Sequence, residues 1–169
     1  MVTYVPPVVC HLADRLDDLG WVTDLLVAGS LATGDYVPGV SDLDLVALTR
    51  GPVGPARQGI LASLHRELDR GSAQGLDLGC VYVDAGRLAD FGVPHPTWTH
   101  GLLVQRILSG VTRAELARHG FAVLGRPPAA VLPEGRQGQR VASPRVRTAL
   151  IAWRDARRTV ASARRRAPA

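Results

Sequence analysis

The chain has 169 residues, 46% apolar and 21% charged, which suits one compact folded domain and excludes a wholly disordered chain. All twenty basic residues are Arg; Lys and Asn are both absent. That excludes a Lys-bearing phosphate loop, a Schiff-base lysine, a Ser-x-x-Lys nucleophile and N-glycosylation.

Residues 136–169 hold ten Arg and one acid, Asp155, a net charge of +9, whereas residues 1–135 carry −4. An acidic body thus precedes a basic tail. Cys10 and Cys80 lie too far apart in sequence for a paired metal-ligand motif, and they suggest a reducing compartment. The first residues show neither a basic n-region nor a long apolar core, so no signal peptide is expected. No apolar run reaches the length of a membrane span. A cytoplasmic protein with no membrane partner is the expectation.

In chain order, residues 7–19 predict a helix, with Val8, Val9, Leu12, Leu16 and Leu19 on one face. Residues 21–28 predict a strand ending at Gly29-Ser30. A short helix or turn follows, then a loop marked by Gly34, Pro38 and Gly39. Residues 42–48 predict a second strand and residues 56–70 a helix closed by Gly71. Residues 76–83 predict a third strand. Residues 85–97 read as loop, and residues 98–108 as a strand. Thr112 and Glu115 form a capping-box pattern opening a short helix that ends near Gly120. Residues 121–124 predict a last short strand. From Ser143 onward the pattern is helical, with Val146, Leu150, Ile151, Trp153 and Val160 apolar.

The chemistry concentrates between Leu26 and Val46. Gly29-Ser30 ends one strand; an eleven-residue connection then leads to Asp42 and Asp44 in the next. Side chains two apart on a strand share a face, so Leu43 and Leu45 point into the core and the carboxylates stand side by side. At ~5 Å and an effective dielectric of about 20, two such charges repel by roughly 3 kcal/mol. Mg²⁺ is the natural counter-charge, a hard cation that prefers carboxylate and phosphate oxygens. Asp77 opens the next strand and completes a three-carboxylate set if the two strands are neighbours; Asp84 is its substitute. Three carboxylates suit phosphoryl or nucleotidyl transfer, two holding metal and the third holding metal or taking a proton from an attacking hydroxyl. At the Gly29-Ser30 turn, backbone N–H groups and the Ser hydroxyl can meet phosphate oxygens, and glycine permits close approach.

The order Gly29-Ser30, then Asp42-Leu-Asp44, then a third acid resembles the nucleotidyltransferase superfamily with the polymerase-β-like fold. The look is nearest to aminoglycoside adenylyltransferases of the streptomycin/spectinomycin type. Their third-acid strand resembles Leu76-Asp-Leu-Gly-Cys-Val-Tyr-Val83. Their later helix-strand-turn resembles residues 113–128. The resemblance covers residues 8–135 and implies an α/β (α+β) domain: a mixed sheet flanked by helices over residues 1–135, with a short C-terminal helix. It also implies AMP transfer from Mg²⁺-ATP to a hydroxyl of a small molecule, with antibiotic resistance as the setting. Gly29 and Ser30 would hold the triphosphate. Asp42, Asp44 and Asp77 would hold Mg²⁺, with Asp77 as general base. The resistance enzymes continue into a C-terminal helical domain of roughly a hundred residues. Here residues 136–169 would be its Arg-rich helical remnant, and a protein partner would complete the site.

Two alternatives stand beside this reading. One is a minimal nucleotidyltransferase antitoxin-like enzyme that modifies a protein partner. The other is a non-catalytic nucleic-acid-binding module built on the tail, ranked below a solvated helix or one pairing with the acidic body. In the tail, Arg147, Arg154 and Arg158 are candidates to reach ATP phosphates. The histidines are too scattered for a metal site. Trp98 and Tyr36 read as core or loop packing before nucleotide stacking.

Overall fold

A computed structural model describes residues 4–132. The Arg-rich tail, its expected helix, its three candidate arginines and the division at residue 135 lie outside the described residues.

The sheet has six strands: β1 (Val22–Val27), β2 (Leu43–Thr49), β3 (Leu78–Asp84), β4 (Pro94–Thr99), β5 (Leu102–Ile107) and β6 (Phe121–Leu124). Their order across the sheet is β5-β4-β3-β2-β1-β6. Only the β2–β3 pair is parallel; the other four neighbouring pairs are antiparallel. A parallel neighbour requires a crossover. The helix α3 (Pro55–Arg70) supplies it, its Pro at the first turn and its end at Gly71. Helices α1 (Pro7–Asp18), α2 (Gly29–Thr33), α4 (Gly110–Arg118) and α5 (Pro128–Val131) complete the fold. This is a mixed sheet flanked by helices, consistent with the fold that the resemblance implies.

Alternation along the strands sorts the core into two faces. Leu26, Val46, Leu48 and Val83 pack with Leu108, Ala122 and Leu116 of α4. The opposite side chains, among them Leu25, Leu45, Ala47, Cys80 and Tyr82, are buried, as are Leu12 and Leu16 of α1 and Leu61, Leu64 and Leu68 of α3. Burying Leu43 and Leu45 fully stabilises β2 by roughly 2–3 kcal/mol each. That is enough to hold the strand in place although it carries crowded carboxylates at its start.

Two expectations need correction. The segment read as loop followed by a single strand is a hairpin: β4 begins at Pro94, and the turn falls at His100-Gly101. Pro94 and Pro96 had argued against a strand. They are tolerated because β4 pairs with β3 only through Cys80↔Trp98 and Val81↔Thr97, beyond both prolines. The second correction concerns α4. Its cap is Ser109, whose Oγ accepts from the Thr112 N–H at 3.0 Å, so the helix starts one turn before the expected capping box. Among the described residues, no helix is long and apolar enough to cross a membrane.

Candidate functional site

Three carboxylates converge at the N-terminal ends of the two parallel strands. The register Leu43↔Leu78 and Asp44↔Gly79 puts β2 and β3 side by side, and the Leu43 N–H donates to the Asp77 carbonyl at 2.8 Å. Asp42 and Asp77 therefore lie one residue ahead of the same rung. Strand alternation gives Asp42, Asp44 and Asp77 one face, opposite the buried Leu43 and Leu78.

The β1–α2 turn meets this face. The Ala28 N–H donates to the Asp44 carbonyl at 2.8 Å, which fixes the start of α2 against β2. Gly29 has φ +60°, a left-handed conformation that glycine adopts without cost. A Cβ there would overlap Asp44 Oδ2 and crowd its Cγ and Cβ. Gly29 therefore answers two demands, a backbone conformation and a close approach to a carboxylate. Ser30 follows, half-buried at the same turn. The loop back to the acids is closed by Ser41, whose Oγ accepts from the Val37 N–H at 3.0 Å, while its own N–H donates to the Val37 carbonyl at 2.9 Å.

The electrostatics of the face are one-sided. Asp44 remains accessible to solvent, yet surrounding protein desolvates its carboxyl and raises its pKa. The negative charges of Asp42, Glu115 and Asp77 raise it further. Glu115 comes from α4, far along the chain, and escaped the sequence reading, which saw it only as a cap residue. Its proximity follows from α4 packing beside α2. Among the described residues, Asp42 and Asp44 have no ion-pair partner. Asp77 has a histidine beside it: its Oδ2 lies 3.3 Å from Nδ1 of His100.

The donor set fits a hard divalent cation, being carboxylate oxygens with uncompensated charge beside a cradle that a Cβ would fill. No group of three or more His, Cys, Asp or Glu among the described residues is placed to hold a metal on its own. Mg²⁺ does not need one. It binds through one or two carboxylates and completes its octahedron with waters and substrate phosphates.

Residues 9–82 match the family model described as a nucleotidyltransferase domain. The match supports the nucleotidyltransferase superfamily. The matched nucleotidyltransferase segment runs from α1 into β3 and contains Gly29, Ser30, Asp42, Asp44 and Asp77. No curated protein matches the chain.

The other residues singled out in sequence fall elsewhere. Asp84 ends β3 at the far end of the strand from Gly79, where its carboxylate accepts from the Gly86 N–H at 3.1 Å. Trp98 is buried and stacks on His65 with ring centroids 5.0 Å apart, so it is core. Tyr36 is half-buried in the loop between turn and acids. His65 and His95 are buried, and His11 sits 3.0 Å from Ser72 Oγ. Both cysteines are free, and burial pushes the Cys80 thiol up to about 12.

Proposed function

We propose that this nucleotidyltransferase domain transfers AMP from ATP to a hydroxyl of a small molecule, in a reaction dependent on Mg²⁺. An aminoglycoside of the streptomycin/spectinomycin type is the acceptor that the sequence resemblance supports. The observation that carries the reading is the meeting of Asp42, Asp44 and Asp77 on one face beside the Gly29 turn.

In this reading Asp42 and Asp44 hold Mg²⁺, and Gly29 and Ser30 receive the triphosphate. Bound there, the cation would neutralise charge on the phosphate oxygens and the leaving pyrophosphate. The chain's own residues do the rest. The backbone N–H groups at the turn and the Ser30 hydroxyl donate to phosphate oxygens. The Asp77 carboxylate accepts the proton of the acceptor hydroxyl as its oxygen bonds to the α-phosphorus. The bond from the α-phosphorus to the bridging oxygen breaks, and pyrophosphate carries away that electron pair. Positioning and electrostatics supply most of the acceleration in such displacements.

Calorimetric titration of ATP, with and without Mg²⁺, tests the nucleotide site. The wild type should bind only with Mg²⁺, and Asp42→Ala/Asp44→Ala should lose that binding while keeping its circular dichroism spectrum. A folded wild type that does not bind, or a double variant that binds equally well, overturns the reading. Transfer of labelled AMP to streptomycin or spectinomycin then tests the acceptor.

A further inference from the structure

The β4–β5 hairpin brings a residue to the site that neither the family match nor the motif includes. β4 and β5 are joined by two residues, His100 and Gly101, flanked by the pair Thr99↔Leu102. Their φ values are +47° and +76°, the two left-handed positions of a type I′ hairpin turn. His100 is the one non-glycine residue with positive φ among the described residues. Gly, Asn or Asp is the ordinary occupant of that position, and His is the other residue enriched in left-handed backbone. What sets this histidine apart is what its ring reaches. Nδ1 lies 3.3 Å from Asp77 Oδ2.

The hairpin tip is anchored. Two residues before His100, the buried Trp98 ring lies against His65 of α3, and Asp69 of the same helix lines the same depression as Trp98. His65 in turn bonds the Tyr82 hydroxyl at 2.7 Å. The strand leading to His100 is thus fixed to both α3 and β3. Asp69, Asp77, Trp98 and His100 line one open depression of about 300 Å³. The Asp77 and His100 side chains keep 40% and 71% of their exposure, so an acceptor can reach both.

We propose that His100 is a positioning residue for Asp77. The Nδ1–H of the imidazole donates to Oδ2 and fixes the carboxyl plane. Oδ1 then faces the incoming hydroxyl as proton acceptor. The inference rests on the adenylyl-transfer reading above. It adds a residue, supplied by the hairpin, that sets the orientation of the base.

Two variants separate this role from a structural one. His100→Asn installs Asn-Gly, the preferred type I′ pair, so the turn persists and Tm should hold or rise. His100→Gly also tolerates the turn and leaves a gap that free imidazole can fill. The full chain is assayed with Mg²⁺ and α-labelled ATP, with water, streptomycin and spectinomycin as acceptors. Partners that orient a reacting ligand typically contribute 10–100-fold, so kcat should fall about ten-fold in both variants. KM for ATP should stay within roughly two-fold, because His100 lies away from the Gly29 turn. Added imidazole should restore part of kcat in His100→Gly alone. In ¹³C-carboxyl spectra of the chain, the Asp77 resonance should move in His100→Asn and those of Asp42 and Asp44 should not. An unchanged kcat in His100→Asn, a rise in KM with kcat intact, or a still Asp77 resonance overturns the inference and leaves adenylyl transfer standing. A wild type that transfers to none of the three acceptors overturns both.

Discussion

Gly29→Ala is a test of how the carboxylate face is built. Alanine at φ +60° carries a left-handed cost of about 1–2 kcal/mol. Its Cβ would also overlap Asp44 Oδ2, Cγ and Cβ. Asp44 must then leave its rotamer, or β2 and α2 must part, at about 1–2 kcal/mol more. The expected total is about 2–4 kcal/mol, a Tm loss of roughly 6–12 °C for a fold of this size. Gly34→Ala provides the internal reference. Gly34 has φ +91° but open space where a Cβ would stand, so it should cost only the backbone share of about 1–2 kcal/mol. The decisive measurement is a thermal-melt cycle of Gly29→Ala with and without Asp44→Ala. Removing the Asp44 carboxyl should reduce the Gly29→Ala loss toward that of Gly34→Ala. An equal loss in both backgrounds would refute the close-approach argument, leaving only the backbone conformation. Calorimetry on the single variant should show Mg²⁺-ATP binding lost, since Asp44 is displaced.

Three further outcomes follow from the charges. Asp44→Asn should raise Tm at neutral pH, because it removes a desolvated carboxylate facing Asp42, Glu115 and Asp77. The folded state holds the Asp44 proton to higher pH than the unfolded chain does, so the gain should vanish as pH falls below the ordinary carboxylate range; a gain that grows on acidification contradicts this. His65 is buried, and burial depresses its pKa to about 3. The unfolded chain therefore binds a proton first, and stability should fall by about 1.4 kcal/mol per pH unit as pH drops from about 6.5 toward 3. Denaturant titrations of His65→Gln should lack that component, and parallel pH profiles would refute it. Asp24 of β1 is fully buried. Burial opposes its ionisation, but the Arg126 side chain, the Arg126 N–H at 2.6 Å and the Thr23 hydroxyl together hold its pKa below the usual range. Arg126→Ala should lower Tm at pH 7, with the difference closing as pH falls through that depressed value; an equal Tm at pH 7 would mean that the pair is not formed in solution.

Sequence and tertiary structure divide the description of this protein between them. The apolar alternation around Asp42 and Asp44, the Gly29-Ser30 strand end and the Gly71 stop are local signals. Period-two burial and backbone chirality act over a few residues, so β1, β2, α3 and the paired acids were legible without a fold. The partnership of Asp77 with Asp42 was a conditional inference, because β2–β3 adjacency depends on how α3 crosses the sheet. Three features lay beyond local reading. The β4–β5 hairpin was hidden by Pro94 and Pro96, whose positions are harmless only because β4 pairs with β3 past them. Glu115 reaches the acids through the packing of α4 beside α2, and its place as an apparent cap residue gave no hint of that. His100 meets Asp77 because the hairpin tip returns over the start of β3. A side chain's periodicity tells which way it faces on its own element; which other charges it then faces depends on long-range packing, and that is where the electrostatics of this site were decided.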